Sequence, residues 1–361
     1  MDNKSKYKSV IFTSDLFKVD DREIAKASNP QSINVEWVYE LFSPIFKSLF
    51  NAPVKYITGD ERGSSLNRIL IYKHFGLPFN SASWASLYSE FSDTEYFLDK
   101  FNSEFSNSLV IGYELPPSHI KILEQLDIDY IDLTMHPYRF LPNYIFGIRT
   151  NIDYVFTSLS KLQIPNEILE EEVRITKSRS VRVWQNRPAA GSALFIGQIE
   201  IDSSLIDGGN IVKDDLIADA LHSLSIGHDN IYYKFHPHRK DKHSIEKIIR
   251  SIPNCSLIEV NIYDAIAANE FVTIASLSSG ALHEAKLFGN NILRHIKNDL
   301  FEINGLTDKE IFEKRKYITS PNNIVSYVFW EYLFDDSVEF SPVFLRTIDW
   351  LKFSLNMRWG R

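Results

Sequence analysis

The feature that most constrains this chain is an alternation that occurs twice. Short apolar runs end in polar or turn residues and are separated by longer stretches of helical character. In the first half the runs are "YKSVIFTSD", "VKYITGD", "SLVIGYEL" and "DYIDLTM", with "VEWVYELFSPIFKSLFN" as a crossover helix. Residues 150–180 read as charged helix without a strong strand signal. The alternation then resumes with "SALFIGQIE", "IYYKFHP", "CSLIEV" and "EFVTIAS", and with helices at "KDDLIADALHSLSI", "HSIEKIIRSI" and "GALHEAKLFG". Strand, helix and strand in succession build a parallel sheet with helices on both faces. The expected class is α/β, with two Rossmann-like domains facing a cleft. The boundaries read as 1–185, 186–335 and a helical, aromatic segment over 336–361. Ligands in such sheets bind past the carboxyl ends of the strands, so the chemistry should lie there.

Composition narrows the function. At 361 residues the chain is long for one core. With 44% hydrophobic and 24% charged residues it is ordinary for a globular protein, and its net charge of -8 argues against nucleic acid as a partner. The single cysteine, Cys255, permits no disulfide framework and no cysteine-based zinc site. The N-terminus carries no secretory leader pattern, and no apolar run approaches the ~18 residues of a spanning helix. A cytoplasmic location, free or at a membrane surface, is the expectation.

The strand ends carry the candidate residues. "FIGQIEIDSSLIDGG" places Glu200 and Asp202 two apart where a strand opens into a loop, after Gln198, a candidate substrate contact. On a strand both would point the same way. A retaining glycosyl transfer can use one carboxylate as nucleophile and a second as acid/base, with Glu114 of "GYELPP" supplying the partner. Against this, Asp202 can simply cap the following turn. "YYKFHPHRK" sets Lys234, His236, His238, Arg239 and Lys240 around Pro237, a cationic strand end suited to phosphate or merely solvated. "SLSSGALHEAKLFG" ends a strand in Ser278, Ser279 and Gly280 and opens a helix, with Glu284 one turn in, placed to reach ribose hydroxyls. Free N–H groups and hydroxyls there suit a phosphate, though serine is also an ordinary cap. "TGDERG" offers Asp60, Glu61 and Arg62, and "TMHPYRF" offers His136 and Arg139. No P-loop, no GxGxxG and no metal-ligand pattern is present.

These segments in this order resemble the retaining β-Kdo transferases of capsule and lipopolysaccharide synthesis. "GQIEIDSS" is similar to that family's GQ-x-E-x-D-x-S segment, "YYKFHPH" to its YK-x-HP segment, and "SLSSGALHEAKLFG" to its serine loop and helix. "GYELPP", "YIDLTMHPYRF" and "RTN" look like its lipopolysaccharide branch. The resemblance implies a GT-B-like fold, CMP-Kdo as donor, a glycan or glycolipid acceptor, no metal or other cofactor, and retention through a sugar–aspartate intermediate. It implies Asp202 as nucleophile and Glu114 as acid/base. His236 and the Ser278–Ser279 loop would hold CMP, and Arg62 the sugar carboxylate. The capsule branch has two adjacent acids after the glutamate; here the first is Ile201.

Three other readings remain open. An inverting sialyltransferase-like enzyme would use Asp60 or Glu61 as base. A non-catalytic CMP-sugar binding subunit would tolerate loss of Asp202 and Glu114. An epimerase of similar fold would need no acceptor. At the C-terminus, "WLKFSLNMRWGR" sets Lys352, Arg358 and Arg361 among Trp350, Phe353 and Trp359. Such an end can rest on an anionic membrane or pack back on the protein.

Overall fold

A computed structural model of the protein describes residues 6–23, 28–180, 187–335, 337–344 and 350–359. The runs read as strands in the first half form β1 (Ser9–Thr13), β2 (Val54–Tyr56), β3 (Ser108–Tyr113) and β4 (Tyr130–Met135), followed by β5 (Phe146–Thr150). In the second half follow β6 (Ser192–Ile196), β7 (Ile206–Asp207), β8 (Asn210–Ile211), β9 (Asn230–Lys234), β10 (Cys255–Leu257), β11 (Thr273–Ser276) and β12 (Ile292–Arg294), and last β13 (Ile318–Thr319). β3 and β4 are buried at every position, as expected of parallel strands covered on both faces.

The strands form two main sheets. The first has the order β13-β5-β4-β3-β1-β2, and the second β10-β9-β6-β11-β12. The second is wholly parallel and its chain order, 3-2-1-4-5, is the Rossmann order. The fold is thus α/β and GT-B-like, as the sequence predicts. In each sheet the winding direction reverses at one gap. That gap lies between β1 and β3 in the first sheet and between β6 and β11 in the second. Crevices open at such gaps.

Helix Ser32–Phe50 covers one face of the first sheet. Its Val35, Val38, Phe42, Phe46 and Leu49 recur at helical spacing and are buried. Trp330, from helix Tyr327–Phe334, lies edge-on to Phe42 and 4.7 Å from Phe46, ring to ring. The second face is filled by Phe17, Trp84, Phe91, Phe97 and Phe101 among others, so these aromatics are core. The C-terminal helix Trp350–Arg358 packs back on the first helix. Leu351 and Leu355 are buried, Trp37 donates to Ser354 at 3.1 Å, and Arg358 pairs with Glu40. Phe353 and Met357 remain exposed, and Arg361 lies outside the described residues. Among the described residues no helix is long and apolar enough to cross a membrane.

Three features differ from the sequence reading. β5 and β13 run antiparallel and were not expected. β5 mixes Gly147 and Arg149 into an apolar run, and β13 has two residues, so neither carries a strand period. The chain also returns to the first sheet at β13, before the boundary at 335 drawn from the sequence, while the boundary at 185 falls outside the described residues. Finally, β6 ends at Ile196, so Glu200 and Asp202 are not on a strand. Gly197 ends the regular run where a Cβ would lie 2.5 Å from the Tyr233 hydroxyl.

β4, β5 and the returning chain are locked by one buried ion pair. Arg149 donates to Asp132 at 2.8 Å, the Tyr317 hydroxyl donates to the same carboxylate at 2.6 Å, and the guanidinium lies 4.4 Å from the Tyr317 ring centre. Both charged groups are sealed from solvent. Replacing Arg149 with Met strands a buried carboxylate, so unfolding in urea should show a loss of about 3–5 kcal/mol. The double change Arg149→Met with Asp132→Asn should recover part of it. An equal or larger loss in the double variant would mean that packing, not charge, is the cost.

Candidate functional site

Glu114 sits at the carboxyl end of β3, in the gap where the first sheet reverses. Its φ is 56°, an uncommon value for a residue with a side chain. The neighbouring peptide holds it there. Its own N–H donates to Leu133 at 2.9 Å. The Leu115 N–H donates to Asp132 at 3.0 Å and the Leu115 carbonyl accepts from Arg149 at 2.9 Å. The buried pair of the first sheet therefore clamps both sides of the residue after Glu114. The carboxyl accepts from the Thr134 hydroxyl at 3.0 Å. Burial raises its pKa above the ordinary range, and the charge of Asp202 adds to this, while Lys18, Thr134 and Arg139 pull the other way.

Asp202 comes from the second half, on the segment that leaves β6. It caps the short 3-10 turn Ser203–Leu205, accepting from the Ser204 N–H at 2.8 Å. The capping expectation therefore holds, and the charge of Asp202 is felt at Glu114. Glu200 does not stand beside it as a second free carboxylate. One oxygen accepts from the N–H groups of Lys240 (3.0 Å) and Asp241 (2.8 Å), and the other pairs with Arg22 of the first half at 2.7 Å. Burial opposes its ionisation, but these hydrogen bonds and the cations Arg239 and Arg22 prevail and hold it below the ordinary carboxylate range. Glu200 is a strut across the cleft. The like-charge cost raised by the sequence is avoided by turning the two acids to different partners.

Gln198 organises the same segment. Its carbonyl accepts from the Ser278 N–H at 2.9 Å and the Ser276 hydroxyl at 3.2 Å. Its amide donates to Ser278 at 3.0 Å and Ser204 at 3.1 Å. One buried side chain thus ties the ends of β6 and β11 to the turn behind Asp202, a positioning role rather than the expected substrate contact. Ser278 is sealed, whereas Ser279 is partly exposed and accepts from the Ala281 N–H at 3.3 Å. Gly280 lies where a Cβ would come 3.4 Å from Pro137 of the first half.

The cationic strand end after β9 divides. Pro237 and His238 are exposed and His236 is partly buried. Lys234 is half-buried, which lowers its pKa, and donates to the Phe235 carbonyl at 3.3 Å. Arg239 turns inward and pairs with Asp214 at 2.8 Å. It is therefore not a free phosphate cation.

Three further expectations change. Glu284, expected near a ribose, is buried and accepts from the Phe140 N–H of the first half at 2.8 Å; burial pushes it up to about 8. His136 is buried between Tyr138 and Phe301, and burial pushes it down to about 3, so it is a neutral core histidine. Arg139, next to that loop, is exposed and its charge reaches both Glu114 and Glu284. In the "DERG" turn Asp60 pairs with Arg68 at 2.5 Å and accepts from the Asn29 N–H at 2.5 Å. Glu61 accepts from Thr58 and Gly59. Both acids are committed to the turn. Arg62 is exposed, and among the described residues no ion pair or hydrogen bond joins its side chain to the site.

Sequence reading missed the loop after β1. Lys18 acts on Glu114, Asp15 and Asp20. Burial raises the pKa of Tyr88, Asp15 and Glu114 add to this, and Arg149 and Ser203 oppose it. The available signal was the polar cluster "SDLFKVDD" at a strand end, of which only the strand was used. Beside the Gln198–Ile201 segment lies a cavity of about 680 Å³, walled by Phe195, Ile201, Leu205, Ile211 and Ile217, with Glu200, Asp214 and Arg239 at its polar side. Asp202, Glu114, His236 and Ser279 do not line it.

No protein-family model matches the chain, and no curated protein matches it. Among solved structures it is similar to a β-Kdo 2,7 transferase, Thermosulfurimonas dismutans KpsC, at 12% identity and TM-score 0.39, over 91% of this chain and 99% of that one. It is similar to the β-Kdo 2,4 transferase of the same protein at 15% identity and TM-score 0.35, over 86% and 87% of the two chains. A glycosyltransferase from Rickettsia africae is similar at 12% identity and TM-score 0.35, over 98% of each chain. At these values the likenesses carry no argument about chemistry.

Glu284 links the two halves as a buried acid whose folded pKa lies above its ordinary 4.5. The unfolded chain loses that proton first, so its contribution to stability is full below about pH 4.5 and is lost as pH rises to about 8. Glu284→Gln cannot ionise and should flatten the fall in melting temperature across that window. Parallel wild-type and variant curves would refute a buried, protonated Glu284.

Proposed function

We propose that the protein is a retaining glycosyltransferase that moves β-Kdo from CMP-Kdo to a sugar acceptor of a bacterial surface polysaccharide. What supports this is that Glu114, buried where the first sheet reverses, is further held from ionising by the charge of Asp202. Glu114 is held at a positive φ on the first sheet, and its ionisation responds to a carboxylate delivered by the second. Two carboxyls in different environments, one with a raised pKa, suit a divided nucleophile and acid/base. The order of the "GQIEIDSS", "YYKFHPH" and "SLSSG" segments supports the donor assignment.

In this reading the Asp202 carboxylate attacks the anomeric carbon while the bond to the CMP phosphate oxygen breaks. CMP leaves with that electron pair. An acceptor hydroxyl then attacks the same carbon, Glu114 takes its proton, and the Asp202 carboxylate departs. Two inversions give retention. A raised pKa makes Glu114 a stronger base once ionised, so transfer should fall as pH drops through that value. His236, Ser279 and the N–H groups after it would face CMP. The acceptor would enter beside Glu114.

Incubation with CMP-Kdo and no acceptor, followed by intact mass measurement, tests this. Wild type should gain one Kdo unit, mapping to the peptide around Asp202. Asp202→Ala should form none and lose transfer by a factor on the order of 10⁴. Glu114→Gln should slow acceptor transfer by about 10²–10⁴. Transfer that survives Asp202→Ala but fails in a folded Asp60→Ala variant would sink this reading and favour inversion. CMP binding with no turnover in the wild type would favour a binding subunit.

A further inference from the structure

The reading above leaves one charge without a partner. A ulosonic acid donor carries a carboxylate on the reacting carbon, and the expected cation, Arg62, lies exposed in its turn. The loop after β1 offers another. Lys18 is half-buried, and its ammonium lies 5.0 Å above the Trp84 ring. Among the described residues no carboxylate lies within ion-pair distance of it, although its charge acts on Glu114, Asp15 and Asp20. A cation left partly dehydrated beside acids, without pairing any, is placed for an anion that arrives.

The surroundings are built to hold it. Trp84 is fixed from below by its indole N–H, which donates to Asp15 at 2.6 Å. The Lys18 carbonyl accepts from Arg68 at 2.9 Å, and Arg68 is itself held by Asp60. Asp60 and the "DERG" turn therefore brace the lysine loop, which gives that conspicuous segment a task other than general base. At the same strand end the hydroxyls of Thr13 and Ser14 are at least 98% buried and find no hydrogen-bond partner among the described residues. Buried hydroxyls rarely go unpaired, and a ligand oxygen is one way to satisfy them. Arg139, the other cation acting on Glu114, is exposed and closer in effect to Glu284, so it is the weaker candidate.

We propose that Lys18, with the Thr13 and Ser14 hydroxyls of the same strand end, holds the carboxylate of the donor sugar against Glu114, and so selects an acidic sugar over a neutral one. This rests on the CMP-sugar transferase reading. The test compares wild type, Lys18→Met and Lys18→Arg. Binding of CMP alone is measured by calorimetry, and CMP-Kdo consumption without acceptor by CMP release across pH.

Lys18→Met should raise the KM for CMP-Kdo roughly ten- to hundred-fold, the loss expected of a hydrogen bond to a charged group. Its affinity for CMP alone should stay at the wild-type value, and Lys18→Arg should recover part of the loss. Removing a positive charge beside Glu114 makes that carboxyl harder to ionise. The acid limb of turnover should therefore move to higher pH in Lys18→Met, which a merely structural lysine would not cause. An unchanged KM for CMP-Kdo overturns the proposal, including the case in which Lys18 serves an acidic acceptor. An equal loss of CMP affinity overturns it too. If wild type neither binds CMP nor consumes CMP-Kdo, the functional reading itself falls, a result distinct from either.

Discussion

The ion pair between Asp132 and Arg149 is the constraint on which the first half of the site depends. A buried charge pair is a poor stabiliser compared with well-packed apolar groups. Its value here is positional. Asp132 and Arg149 spend their remaining hydrogen bonds on the N–H and carbonyl of Leu115, and Tyr317 closes the arrangement from the returning chain. With the peptide after Glu114 fixed from both sides, Glu114 can keep a backbone conformation it would not choose. An apolar replacement could fill the space but could not grip a peptide.

The second half of the site is ordered by different means. Gln198 uses one neutral amide to join β6, β11 and the turn behind Asp202. Neutral bonds suit this place, because a fixed charge there would perturb the aspartate it positions. The contacts that span the halves are set further out: the ion pair of Arg22 with Glu200, and the Phe140 N–H donating to Glu284. The carboxyls proposed to react are thus carried on separate sheets. Their separation depends on contacts that neither sheet makes alone.

The fold was legible because its strongest elements are local. Runs such as "SLVIGYEL" and "SALFIGQIE" are apolar, short and bounded by turn residues, and each became a strand. The Ser32–Phe50 helix announced itself by period. β13 could not be read, since two residues carry no period and exist as strand only because β5 lies beside them. The same limit applied to the site. Asp202 and Glu114 were picked out because they follow strand ends beside distinctive neighbours. Glu200, Glu284 and His136 were chosen by residue type, and type does not reveal whether a side chain meets solvent or a backbone N–H. Arg62 and Lys18 are both cations near strand ends. What separates them is Trp84 beneath the lysine, some sixty-six residues away along the chain, and that proximity exists only after folding.

The first sheet is completed by residues made after the whole of the second. Tyr317 reaches Asp132, β13 extends the sheet beyond β5, and the last helix lies on the first through Trp37 and Ser354. On the ribosome, the second sheet therefore has all its strands before the first is whole. The natural order of maturation is from the middle outward, with the half that carries the second sheet as an insert inside the other. A chain cut short after β12 would keep a finished second sheet while leaving a buried aspartate–arginine pair open to water and the Ser32–Phe50 helix partly uncovered. The state of the first sheet thus reports whether the chain that returns after β12 has docked.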